Sequence, residues 1–82
     1  MDCSTIMAIR ANNRMVEAQA IQDVLTEFGC MVRVRLGIHD AGLECSNEGL
    51  ILLHLCGEKI DLKFMEDALN AIEGVKAVSM DI

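Results

Sequence analysis

His54 and Cys56, two side chains that ligate soft metals, stand two residues apart in the segment Leu50–Cys56 (LILLHLC). In an extended strand, residues i and i+2 project to one face, so an imidazole and a thiolate are offered together. Such N/S donors suit zinc, nickel or copper. A closed zinc site needs four ligands, and the set His39, Cys45, His54 and Cys56 would supply them. The competing reading is packing: cysteine is among the most often buried residues, and a single histidine beside apolar neighbours is usually a hydrogen-bonded part of the interior. Arg33 and Arg35 form a second constellation, alternating with Val32, Val34 and Leu36 in Cys30–Ile38 (CMVRVRLGI). Guanidinium groups on one face match a carboxylate effector bidentately, although charges on an edge strand also serve to discourage unwanted pairing. A third is the first turn, Arg10–Arg14 (RANNR), where Asn12, Asn13 and Arg14 precede helix-like periodicity. The amides that open a helix can hold a small anion, and the same residues equally make a plain N-cap. A Cys–His nucleophile pair has no assignable orienting group or oxyanion donor, so no enzyme is expected and no cofactor is named.

These residues need a frame, and the chain is short. Eighty-two residues at 52% apolar content suit one domain, 1–82, with a modest core often helped by association. A formal charge of −6 argues against nucleic-acid binding, which needs lysine and arginine to neutralise phosphates. No apolar run approaches the roughly 20 residues that span a bilayer. The start, MDCSTIMAIRANNR, lacks the features of a secretion signal, so a cytoplasmic location is expected. In that reducing compartment the four cysteines, Cys3, Cys30, Cys45 and Cys56, are expected as free thiols.

Ser4–Arg10 (STIMAIR) reads as a first strand, and Asn12 or Asn13 as the cap of a helix over Met15–Phe28, with Gly29 its stop. The helix stripe is Val16, Ala20, Val24 and Phe28, joined by Ile21 and Leu25. Cys30–Ile38 alternates as a strand, with Val32, Val34 and Leu36 on one side and both arginines on the other. After His39–Gly49 comes Leu50–Cys56, which is apolar on both faces: Ile51, Leu53 and Leu55 on one, Leu50 and Leu52 on the other. Gly57–Ile60 turns the chain, Asp61 caps, and Leu62, Met65, Leu69 and Ile72 line a second helix ended by Gly74. Val75–Met80 is the last strand. The order βαββαβ is that of an α+β, ferredoxin-like sandwich: a four-stranded antiparallel sheet with two helices on one face. The helices are expected over Val32, Val34, Leu36, Ile51, Leu53 and Leu55, leaving Arg33, Arg35, Leu52, His54 and Cys56 on the open face. Both Phe28 and Phe64 fall on helices, unlike the strand aromatics on which RNA-recognition modules stack bases.

The break at Asn13–Arg14, Arg35-Leu36-Gly37-Ile38, Leu50–Leu53 followed by Gly57, and Leu69–Lys76 (LNAIEGVK) together carry a likeness. In these segments the chain resembles the ACT-like regulators of the iron-only hydrogenase system, over nearly its whole length. The resemblance implies an ACT-like fold, similar to the C-terminal domain of the nickel-responsive repressor. It also implies homo-oligomerisation as a dimer or tetramer and a regulatory role. It brings no catalytic residues, and many members carry an acidic residue where this chain has Asn13. The expectation is therefore a non-enzymatic sensor that binds a small effector at a subunit interface, through Asn12, Asn13, Arg14, Arg33 and Arg35. The alternatives are a ligand-free protein-interaction module and transition-metal binding through the His/Cys set.

Overall fold

The computed structural model describes residues 2–38 and 48–82. His39 and Cys45, half of the candidate metal set, lie outside the described residues. The chain runs β1 (Asp2–Ala11), α1 (Arg14–Glu27), a 3-10 turn (Gly29–Met31), β2 (Val32–Ile38), β3 (Gly49–Gly57), α2 (Lys59–Asn70) and β4 (Val75–Asp81). The strands form one antiparallel sheet in the order β2-β3-β1-β4, the expected split arrangement with β1 and β3 at the centre. Among the described residues no helix is long and apolar enough to cross a membrane.

Alternation decides which side of each strand is covered. Thr5, Met7, Ile9 and Ala11 of β1 are buried, as are Leu53 and Leu55 of β3 and Val75 and Ala77 of β4. All of these but Thr5 meet Ile21 and Leu25 of α1 and Leu62, Met65 and Leu69 of α2 in one cluster. Both helices therefore lie on one face, as expected. The stripe of α2 is the expected one. That of α1 is rotated: Val16 is 74% exposed, whereas Glu17 is buried. Asn13 is the N-cap of α1, its side chain accepting from the Met15 amide. Asp61 does not cap α2; the helix starts earlier, with Glu58 in the cap position, and Asp61 sits in the first turn, where a carboxylate complements the helix dipole. Gly74 likewise does not end α2, which stops at Asn70, but lies in the turn that precedes β4.

The largest departure is in β2. Its register opposite β3 slips between Val32 and Val34: Val32 faces Leu55, but Val34 faces His54 and Arg35 faces Leu53. A bulge of one residue moves every later side chain to the other face. Val34 and Leu36, expected under the helices, stand on the open side at 55% and 54% exposure. Arg35, expected on the open side, turns to the helices and donates to Gln22 Oε1 of α1 at 2.7 Å.

Candidate functional site

The first turn is built from main-chain bonds that leave few donors for a ligand. The Asn12 amide donates to Gly74 O at 2.9 Å, and the amides of Val16 and Glu17 both donate to Asn13 O at 3.0 Å. The Met15 amide donates to Asn13 Oδ1 at 3.2 Å, and the Asn13 amide to Glu17 Oε2 at 3.1 Å. An internal carboxylate thus occupies the position at the helix start that a bound anion would take. Glu17 was not among the expected residues, although an acidic residue four positions beyond the cap is close to the capping-box signal. Gly74 lies against it with φ +84°, and a Cβ there would run into Glu17 Oε1 and lie 2.9 Å from its Cδ.

The arginines do not join this turn. Arg35 is opposite Leu53, which is opposite Met7, four residues from Ala11. At about 3.3 Å per residue this is some 13 Å along the sheet from the turn. Arg33 is the extra residue at the bulge, farther still, and is exposed. Within one chain the five candidate effector residues therefore belong to separate places.

At the opposite end of the sheet, β1 begins beside the end of β3. There Cys3 and Cys56 are joined in a disulfide across 53 residues of sequence. This corrects the expectation of free thiols for Cys3 and Cys56: antiparallel pairing sets Asp2 opposite Gly57, so the two cysteines become cross-strand neighbours. His54 donates its Nε2–H to the Cys3 carbonyl oxygen at 2.8 Å, a carbonyl being able only to accept. His54 and Cys56 do share a face, but the Cys56 sulfur is committed to Cys3. Among the described residues no group of three His, Cys, Asp or Glu side chains is arranged to hold a metal, and Cys30 is an exposed free thiol.

A shallow cavity of about 150 Å³ lies on the helix side, lined by Thr5, Lys59, Leu62, Lys63, Ser79 and Asp81. Its cations are matched internally. Lys59 pairs with Asp81 and lies 3.7 Å from Asp2, while Lys63 pairs with Asp67 at 3.2 Å. The Asp81 carboxylate holds Lys59 above the usual 10.5, and the ammonium, aided by the Thr5 hydroxyl, holds Asp81 below 3.8. Lys59, Lys63, Asp67 and Asp81 are each more than half exposed, so these pairs stabilise little.

What stands out is the open face. Val34, Leu36, Leu50, Val78, Met80 and Ile82 are between 38% and 74% exposed. Ile6, Ala8, Leu52 and His54 fill the space between them, half-buried. The bulge in β2 creates much of this surface by turning Val34 and Leu36 outward. Polar groups sit at one end, where Arg10 pairs with Glu48 at 2.9 Å and stands beside Lys76 in the ladder.

No protein-family model and no curated protein matches the chain. Among solved structures it is similar to the uncharacterized protein TM1266 from Thermotoga maritima, with a TM-score of 0.84 and 19% identity over 95% of this chain and 94% of that one. At that identity the likeness is one of fold: the chain has the α+β, ferredoxin-like arrangement of four antiparallel strands under two helices.

Proposed function

We propose that this chain is a homo-oligomeric, non-enzymatic regulatory domain of the ACT-like type, whose copies associate through the open sheet face. The observation that carries this reading is the uncovered apolar surface on β2, β3 and β4. The six most exposed side chains present on the order of 600 Å², more than isolated surface residues account for and close to the roughly 800 Å² that each partner buries in a standard interface. In this reading a small effector binds at the junction of two subunits, where first-turn residues and the exposed Arg33 of different copies would supply its contacts. It acts by preferring one arrangement of subunits, and its differential affinity sets the response. The likeness to iron-only hydrogenase system regulators makes such a system, in the cytoplasm, the setting of the proposal.

A ligand-free interaction module is the second reading. It is favoured by the commitments of the polar candidates: Asn13 to Met15 and Glu17, and Arg35 to Gln22. Both readings predict self-association or partner docking through the same face. The test is sedimentation of the untagged protein beside the variants Leu36→Lys and Met80→Lys. The expected result is a dimer or tetramer that the variants convert to a folded monomer. A monomeric parent protein, or variants that assemble like the parent, would overturn the assignment of the face.

A further inference from the structure

Cys3, His54 and Cys56 lie together where β1 begins and β3 ends. Cys3 and Cys56 are joined directly, and His54 reaches the main chain of Cys3 at 2.8 Å. His54 and Cys56 are two apart on one strand, so their Cα atoms are about 6.6 Å apart and their side chains lie on one face. A thiolate arm and an imidazole bridge that span through one ion, with bonds of about 2.3 Å and 2.1 Å. Cys3 is exposed and Cys56 buried, so an external thiol has access to one sulfur of the pair.

We propose that the Cys3–Cys56 disulfide masks a soft-metal site, in which the two reduced thiolates and the His54 imidazole hold one zinc-like cation at the end of the open face. Opening it is thiol–disulfide exchange. The thiolate of a dithiol reductant attacks Cys3 Sγ, the S–S bond breaks, and Cys56 leaves as a thiolate. The reductant's second thiol then attacks its own sulfur in the mixed disulfide. This releases Cys3 as a thiolate and the reductant as a cyclic disulfide, two electrons having passed to the protein. His54 must then give up its bond to the Cys3 carbonyl and carry its proton on Nδ1, which frees Nε2 to ligate. The cation binds the two thiolates, and the two protons lost by the reductant's thiols pass to solvent. Three protein donors leave a fourth position open for water or a small ligand. The set differs from the one expected from sequence, because Cys3 takes the place of His39 and Cys45. It stands whether or not the open face joins two copies.

The test uses the full chain carrying Cys30→Ser and Cys45→Ser, so that Cys3 and Cys56 are the remaining thiols. Oxidised and phosphine-reduced samples, freed of reductant, are titrated with Zn²⁺ alone and weighed by native mass spectrometry. Co²⁺ in parallel reports thiolate ligation through its charge-transfer absorption. The expected result is one zinc per chain after reduction, none before it, and binding at least tenfold weaker in His54→Gln, with the thiolate signature of cobalt in the parent. A reduced chain that takes up no zinc, an oxidised chain that takes up as much, or a His54→Gln variant that binds as tightly as its parent would each overturn the proposal.

Discussion

Gly74→Ala places a methyl group where the first turn has no room for it. Gly74 sits at φ +84°, and its added Cβ would run into the carboxylate of Glu17. Two costs arise. Holding an L residue at positive φ costs about 1–2 kcal/mol. Displacing the carboxylate breaks its bond to the Asn13 amide, a charge-assisted hydrogen bond worth about 1.5 kcal/mol at the low end of its range, since the site borders solvent. The single variant should therefore lose about 3 kcal/mol, and Glu17→Ala alone about 1.5 kcal/mol. Glu17→Ala also removes the obstacle, so Gly74→Ala on that background should cost only its backbone share, leaving a coupling of about 1.5 kcal/mol in the double-mutant cycle. The assay is urea unfolding of the four proteins at one concentration, because stability and association are linked in an oligomer. Strictly additive losses would show that the carboxylate does not lie against Gly74, and the account of the turn would fail.

Leu69, fully buried among both helices and the sheet, should lose 2–5 kcal/mol on truncation to alanine, read by the same unfolding assay. Acid stability should depend on Lys59. Asp81 is held below 3.8, first by its bond from Lys59, and Asp2 first by its bonds from Ser4. Lowered carboxyl groups contribute stability above the usual value of 3.8 and lose it as pH falls through their folded values. Lys59→Met should therefore make the acid decline in Tm shallower without abolishing it, since the Ser4 contribution to Asp2 remains. Lys59 is itself raised above 10.5, so its contribution is present below that value and is lost only as pH rises through the folded one; the parent and the variant should converge in strong alkali.

The strand that is apolar on both sides was legible because its pattern is local. Leu50–Cys56 cannot bury both faces under one layer of helices, and the uncovered face follows from that alone. The phase of β2 was not legible. Alternation gives the relation of Val34 to Arg35, but the slip after Val32 depends on pairing with β3 and leaves no mark in the run of residues. The same limit hid the disulfide, since Cys3 and Cys56 become neighbours only through the register of β1 on β3. For α1, Val16 and Glu17 were exchanged because apolar spacing carries no information about a carboxylate drawn inward by a cap. The candidate effector residues share only their polar chemistry, and the sheet sets the turn and the arginines apart.

The position of β1 in the sheet bears on how the protein is made. The strand is synthesised before both of its neighbours, β3 and β4, with Ala11 opposite Gly49 and Thr5 opposite Asp81. At 5–20 residues per second, about 4–14 s separate the emergence of its last residue from that of its final partner. For the part of that interval before β3 emerges, Met7 and Ile9, destined for the centre of the core, have neither flank paired. The nascent chain is thus most exposed to aggregation before β3 arrives, and a holding factor that recognises short apolar extended segments would find its target in β1.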